Sequence, residues 1–250
     1  MKHQITTDDV IQHFVARSPT YDRSSSWCTD DRLGSLVLAL ARPRPTDRVL
    51  DVACGTGLVS RLFKRRVAEV VGVDITADMA EQAMPHVDTL VIAPAESLPF
   101  PDGAFDVVVC RQGIQFMTLP DAIQEMARVT RPGGRVVIVQ LCAYGAGDRE
   151  EYFEVLRLRN PVRRHFFLPA DVEALLRGAG CDPVELERYI SVEDVDVWSD
   201  TGAIDEASRE AIRRVYRSAS GDFRSLHAVS QADGRWVDHM LFVVAVGHRP

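Results

Sequence analysis

Two aspartates at the ends of apolar segments are the residues of this chain best placed to do chemistry. Asp51 interrupts the run 49–53, and Asp74 ends the run 69–74. A carboxylate at the end of a buried strand is costly unless a partner satisfies it, so we expect both to face a ligand crevice. Asp51 would repel phosphate and suit an ammonium or sulfonium group, whereas Asp74 is placed to accept hydrogen bonds from the two hydroxyls of a ribose. The alternative is that they cap the helices that follow.

A loop with two glycines follows the first of these acids. Gly55 and Gly57 lie in the segment Asp-Val-Ala-Cys-Gly-Thr-Gly. They allow the backbone to turn tightly and approach a ligand, and we expect the next helix to offer amide donors at its start. A dinucleotide-binding loop has three glycines in the pattern G-x-G-x-x-G, so the spacing here is different.

Predicted strands and helices alternate along the chain, and they must position the two acids and the glycine loop. Apolar runs predict strands at 49–53, 69–74, 89–93, 105–111, 135–141, 184–190 and 236–247. Periodic or capped segments predict helices at 7–16, 30–41, 119–130, 149–158, 168–180 and 205–219. This alternation predicts an α/β fold with a doubly wound, mostly parallel sheet, in which ligands bind at the carboxyl ends of the strands.

Four segments carry a family resemblance. Residues 49–57, 71–74, 95–106 and 128–135 resemble, in this order, class I S-adenosylmethionine-dependent methyltransferases, and most of all the ubiquinone/menaquinone-biosynthesis branch. The likeness spans about residues 46–141. It implies a Rossmann-like, seven-stranded sheet with an antiparallel last strand and a helical lid. It also implies methyl transfer from S-adenosylmethionine to a small-molecule acceptor, leaving S-adenosylhomocysteine, with O-, N- and C-methylation all open.

The resemblance also implies cofactor contacts. The glycine loop would hold the methionine part of the cofactor, Asp74 the ribose and Ile75 the adenine, while Tyr21 would close over it. Family members often have an aspartate where this chain has Pro94, so Glu96 or backbone groups nearby must recognise the adenine instead. The cofactor-binding residues that we predict are Tyr21, Asp51, Ala53, Gly55, Gly57, Asp74, Ile75, Met79, Ala95, Glu96 and Gln112.

Residues 111–117, at the end of the fourth strand and after it, are the best candidate for the floor of the methyl-transfer site. We expect this segment to lie at the same sheet edge as the two acids. Its apolar residues could equally be core. Arginines farther along could bind an anionic acceptor, although those of 205–219 are spaced as helical ion pairs. The acceptor-side residues that we predict are Trp27, Gln115, Phe116, Met117, Arg163 and His165.

No catalytic residue is assigned from the sequence. His13, His165, His227 and His239 are each conceivable bases. Methyl transfer needs a base only when the nucleophile must lose a proton. The enzyme mainly needs to hold the donor carbon and the nucleophile in line.

The predicted domain organisation follows the sheet. We expect an N-terminal helical cap at 1–45 and a cofactor-binding core at 46–191, within which 143–167 is a lid segment. An inserted lid should follow at 192–234, and residues 235–250 should return to the core as the last strand.

Composition restricts the partners. The chain has 250 residues and a net charge of -7, which argues against nucleic acid. Five cysteines without a C-x-x-C pair indicate reduced thiols, with no metal site expected. Residues 1–6 have no apolar signal region, and no apolar run reaches membrane-span length.

We therefore expect a cytoplasmic protein that acts on a small molecule and has no membrane partner; a homo-oligomer is allowed. Two alternatives remain: an NAD-dependent oxidoreductase, or a protein that binds S-adenosylmethionine for non-methylating chemistry.

Overall fold

An eight-stranded mixed sheet forms the centre of the molecule. The computed structural model describes residues 4–250. The strands within this part are β1 (Arg48–Val52), β2 (Glu69–Asp74), β3 (Thr89–Ile92), β4 (Phe105–Arg111), β5 (Thr130–Cys142), β6 (Val184–Asp194), β7 (Ser230–Ala232) and β8 (Arg235–His248). They lie in the order β3-β2-β1-β4-β5-β8-β6, with β7 paired to β8.

The directions of the strands agree with the predicted fold. Parallel pairs join β1 to β2 and β4, β2 to β3, and β4 to β5. The last strand, β8, is antiparallel to β5, β6 and β7. The α/β, mostly parallel sheet with an antiparallel last strand is therefore confirmed, and the carboxyl ends of β1, β2 and β4 share one edge.

The predicted number of seven strands was wrong by one short strand. β7 pairs with the beginning of β8 through the turn Asp233-Gly234, in which both residues have positive φ, 51° and 78°. This dipeptide is typical of a two-residue hairpin and could have been recognised in the sequence.

Helices cover both faces of the sheet. Those within the described residues are α1 (Thr7–Arg17), α2 (Asp31–Ala41), α3 (Ser60–Phe63), α4 (Ala77–Ala83), α5 (Asp121–Val129), α6 (Arg149–Arg159), α7 (Pro169–Gly178), α8 (Val195–Ser199), α9 (Glu206–Ser218) and α10 (Gly221–Leu226). Short 3-10 turns occur at Tyr21–Arg23, Ser26–Cys28, Met84–His86 and Ile114–Phe116. One core layer includes residues of α2, α6, α8, α9 and α10, and the other includes residues of α5 and α7.

Several element boundaries differ from the predicted ones for local reasons. Helix α1 is capped by Thr6, which forms a reciprocal capping box with Asp9. The helix after the glycine loop is only the four residues of α3, so the full helix expected there is absent from this part of the structure. Strand β6 continues to Asp194 because it stays paired with β8, up to the register Asp194↔Val237.

The predicted lid at 192–234 packs into the core. Trp198, Ile212, Tyr216 and Phe223 are fully buried beside the strand residue Phe242. The proposed division into cap, core and lid stays a prediction, and its residues 1–3 lie outside the described part. None of the helices in residues 4–250 is long and apolar enough to cross a bilayer. All five cysteines are buried free thiols.

Candidate active site

A cleft opens at the carboxyl ends of β1, β2 and β4 and is partly covered by α1. Its empty volume is about 770 Å³. We call it the main cleft. It is lined by Thr7, Val10, Phe14, Tyr21, Val52, Ala53, Gly55, Val73, Asp74, Ile75, Thr76, Met79, Ala93, Pro94, Ala95, Glu96, Arg111, Gln112, Gly113, Phe116, Met117 and Arg164.

Asp74 connects the ends of β1 and β2. Its Oδ2 accepts the Gly55 amide at 2.8 Å, and its Oδ1 accepts the Thr76 amide at 2.8 Å. The residue is 8% exposed, and burial raises the pKa of its carboxyl group although these amides oppose the shift. Asp74 therefore holds the glycine loop by a hydrogen bond and also borders the main cleft.

Asp51 lies deeper, beside the same loop. It is 1% exposed, and its Oδ2 accepts a hydrogen bond from Ser60 Oγ at 2.6 Å. Burial raises its pKa to about 7, while Ser60 and Arg111 act in the opposite direction. It borders a small pocket next to the main cleft, which we call the loop pocket and which also includes Tyr21, Gly55, Thr56 and Arg111.

The glycine loop needs left-handed backbone at several positions. Ala53, Gly55 and Gly57 have φ of 55°, 54° and 81°. A Cβ at Gly55 would meet only Met79 Cε, at 3.4 Å, so this glycine keeps the cleft open. A Cβ at Gly57 would lie 3.0 Å from Ala83 Cα, so this glycine allows α4 to approach the loop. Gly57 does not border the main cleft.

The residues predicted to surround an adenine border the main cleft. Ile75, Met79 and Ala95 line its apolar side. Pro94 and Glu96 lie next to Ala95, and Glu96 Oε1 already accepts the Thr118 amide at 2.5 Å. One carboxylate oxygen of Glu96 thus has a partner within the protein.

The segment after α1 closes the other side of the site. Tyr21 borders both the main cleft and the loop pocket. Its neighbour Asp22 accepts a hydrogen bond from Thr56 Oγ1 at 2.5 Å, which links this segment to the glycine loop. Phe14 of α1 packs edge-on against Phe116, with ring centroids 5.0 Å apart.

A second cavity adjoins the main cleft and has an empty volume of about 340 Å³. We call it the arginine cavity. It is lined by Phe14, Arg17, Tyr21, Trp27, Gln112, Gln115, Phe116, Leu141, Leu156, Arg159, Asn160, Arg163 and Trp198. Phe14, Tyr21, Gln112 and Phe116 border both spaces, so the two are neighbours.

The predicted acceptor-side residues divide between these spaces. Trp27, Gln115 and Arg163 line the arginine cavity, Phe116 lines both spaces, and Met117 lines the main cleft. His165 lines neither. Its Nε2 lies 3.1 Å from the Met117 carbonyl oxygen, and burial lowers its pKa.

Sequence reasoning missed several residues of the site. Arg17 and Arg159 were not predicted, yet both line the arginine cavity and are 3% and 4% exposed. For Arg17 a signal existed, since helical spacing from Val10 and Phe14 puts it on the apolar face of α1. Arg159 gave no comparable signal.

Comparison with known proteins bears on this geometry. Residues 50–138, which contain both acids and the glycine loop, match the family model described as a methyltransferase domain. This part of the chain is therefore similar to methyltransferase domains.

The curated relatives that part of this chain matches are methyltransferases by name. The chain is 35% identical over 157 residues to the uncharacterized methyltransferase YcgJ of Bacillus subtilis, covering 59% of this chain and 62% of YcgJ. It is 31% identical over 140 residues to the malonyl-(acyl-carrier protein) O-methyltransferase of Serratia marcescens, covering 54% and 53%. It is 39% identical over 116 residues to the ubiquinone/menaquinone biosynthesis C-methyltransferase UbiE of Burkholderia mallei, covering 42% and 48%. The chain thus spans less than two thirds of each relative.

The fold also has solved counterparts. The crystal structure of B. subtilis YcgJ superposes with a TM-score of 0.80 at 23% identity, covering 88% of this chain and all of YcgJ. Tyr21, Trp27 and Arg163 lie outside the matched residues 50–138 of the methyltransferase domain. The domain thus contains the two acids, whereas the arginine cavity also draws residues from the chain before and after it.

Proposed function

We propose that this chain transfers a methyl group from S-adenosylmethionine to a small-molecule acceptor. One observation carries the proposal: within the matched methyltransferase domain, Asp74 and Gly55 are joined at a sheet edge that borders a cleft.

Asp74 can accept ligand hydroxyls as well as backbone amides. Asp74 borders the main cleft, so its carboxylate would accept ribose hydroxyls in addition to the Gly55 and Thr76 amides. Ile75 and Ala95 offer an apolar slot for the adenine next to it. Gly55 lets the donor approach the backbone closely.

Asp51 and the loop pocket suit the positively charged end of the donor. Asp51 lies in this pocket beside Arg111, which could pair with the donor's carboxylate. The two side chains have opposite charges, as an amino acid's ammonium and carboxylate do. Tyr21 borders this pocket and the main cleft and would help to exclude water from the donor.

The chain's own contribution to catalysis is mainly positioning. S-adenosylmethionine, when bound, supplies a methyl group on a sulfonium that is a good leaving group. Gln112, Phe116 and Tyr21 border both the main cleft and the arginine cavity, so they would fix the acceptor against the donor. Alignment of two reactants at attack distance can contribute about 7–11 kcal/mol.

Two measurements test the proposal. Calorimetry should show that S-adenosylhomocysteine binds, and mass spectrometry should find the label from S-adenosylmethionine in a product from a panel of small molecules. Asp74→Ala should weaken binding, whereas Glu81→Ala, which changes an exposed acid on α4, should not. Stabilisation by NADH but not by S-adenosylhomocysteine would contradict the proposal and favour an oxidoreductase. Tight binding with no methylated product would favour non-methylating chemistry.

A further inference from the structure

Three buried arginines face one cavity that contains no acid. Arg17, Arg159 and Arg163 are 3%, 4% and 4% exposed, and all three line the arginine cavity. Neither aspartate nor glutamate lines this cavity, and none of the three arginines forms an ion pair with the described residues 4–250. A buried cation without an ion-pair partner is costly, so the three guanidinium groups favour a bound anion.

The hydrogen bonds of the three guanidinium groups go to neutral partners. Arg17 Nη1 donates to Asn160 Oδ1 at 2.9 Å, and Arg163 Nε donates to the His165 carbonyl oxygen at 2.9 Å. Arg159 donates to the Trp198 carbonyl oxygen at 2.7 Å and to Ser25 Oγ at 3.1 Å.

Two donors of this cluster have no partner. Arg17 Nε and Arg163 Nη2 are buried without a hydrogen bond among the described residues. Burial lowers the pKa of all three groups, and for Arg159 it outweighs the opposing charge of Glu193. Unsatisfied N–H groups on planar forks are suited to oxygen atoms of a carboxylate or phosphate.

Aromatic side chains form another part of the cavity wall. The rings of Trp27, Phe116 and Trp198 line it, and Trp198 stacks on the Arg159 guanidinium with 4.3 Å between the charge centre and the ring centroid. Phe116 and Gln112 also border the main cleft, so a molecule held here lies next to the donor.

We propose that the arginine cavity binds the oxyanion of the methyl acceptor, a carboxylate or phosphate carried on a flat apolar body that lies against Trp27 and Phe116. The assignment rests on the proposed function, because it takes the main cleft as the donor site. It specifies the substrate class: the acceptor is a small anionic molecule whose charged end points away from the transferred methyl group.

The test uses the full chain saturated with S-adenosylhomocysteine and measures binding by calorimetry. The probes are benzoate, phenyl phosphate and the neutral analogue benzamide. We expect at least one anion to bind, and benzamide to bind at least about tenfold more weakly, since charge-assisted hydrogen bonds are the stronger ones. Equal binding of benzamide, or no binding of either anion, would overturn the proposal.

Variants connect the binding to the arginines. Arg163→Met should lower the affinity for the anion by roughly 10- to 100-fold, because hydrogen bonds between charged groups are lost. Arg214→Met, which removes an exposed arginine on α9, is the matched control and should change nothing. Arg17→Met serves as a second variant if Arg163→Met does not fold.

Affinity for S-adenosylhomocysteine separates the two proposals. It should stay within about twofold in Arg163→Met, because the donor's own carboxylate lies elsewhere in our assignment. A loss equal to that of the anion would show that the arginines hold the donor instead, and would overturn the inference. Absence of S-adenosylhomocysteine binding in the unmodified chain would instead contradict the proposed function.

Discussion

At the scale of single residues, Asp51 is poised to respond to pH. Its burial raises its pKa to about 7, so the carboxyl group is a mixture of charged and neutral forms near neutrality. The ammonium group of S-adenosylhomocysteine would bind the charged form, and below the pKa it must first displace a proton. We expect the affinity for S-adenosylhomocysteine to rise roughly tenfold between pH 6 and pH 8, as measured by calorimetry.

The matched control for this effect is Asp51→Asn, which keeps the shape and removes the titration. Its affinity should be lower at pH 8 and nearly independent of pH over the same interval. If the variant follows the same curve as the unmodified chain, another group causes the pH dependence and Asp51 does not contact the cation.

Asp74 has both a structural role and a proposed binding role, and one substitution tests the two. Asp74→Ala leaves the Gly55 and Thr76 amides without their present acceptor. We expect the free energy of unfolding without ligand to fall by about 1–3 kcal/mol, and the affinity for S-adenosylhomocysteine to fall roughly 10- to 100-fold. A loss of stability with unchanged affinity would show that the ribose is held elsewhere.

Sequence reasoning found these acids because the argument for them is local. An acid at the end of an apolar run must be explained by a partner or a ligand, whatever the rest of the chain does. Arg17 and Arg159 were missed for the opposite reason. They come from helices far apart in sequence, and only the folded chain shows that no acid accompanies them.

At the scale of elements, the glycine loop depends on how closely α4 packs against it. At Gly57, φ is 81° and a Cβ would meet the backbone of Ala83 at 3.0 Å. Gly57→Ala should therefore lower the free energy of unfolding by about 2–4 kcal/mol through backbone strain and overpacking. Thermal or denaturant unfolding without ligand measures it.

Gly55→Ala is the comparison. Its Cβ would meet only Met79 Cε, at 3.4 Å, so we expect a loss of about 1–2 kcal/mol from the left-handed backbone alone. Its effect on S-adenosylhomocysteine affinity should be the larger of the two, because Gly55 borders the main cleft. The reverse order of stability losses would contradict the packing argument.

The sequence predicts a strand correctly where burial alone determines it. The strands β1, β2 and β4 are buried on both faces, and continuous apolar runs identify them. The prediction failed where pairing partners decide the length: β6 extends past Ile190 because β8 continues beside it, and β7 exists because the turn at Asp233 and Gly234 folds it back.

At the scale of the whole molecule, the C-terminal helices are joined to the sheet by a buried polar cluster. His227 lies 2.7 Å from Asp238 Oδ1 and 3.0 Å from Asp148 Oδ2 through its two ring nitrogens, and Tyr216 donates to Asp238 Oδ2 at 2.5 Å. These residues belong to α6, α9, α10 and β8 or to their caps. The region predicted as a lid is thus anchored at a point that sequence spacing does not indicate.

This cluster makes the stability of the chain depend on pH. Burial alone would lower the pKa of His227, but the bonds to Asp148 and Asp238 outweigh it and raise the pKa to about 9. A histidine raised above its unfolded value of 6.5 stabilises the fold fully below pH 6.5 and loses that contribution as pH rises through 9. Up to about 3 kcal/mol of the free energy of unfolding should therefore disappear between pH 6.5 and about pH 9.5. Denaturant unfolding at a series of pH values measures this loss.

The control is His227→Gln, which should be less stable at pH 6.5 and lose little more stability by pH 9.5. If the free energy of unfolding falls equally with pH in both proteins, His227 is neutral in the fold and the two aspartates do not hold its proton.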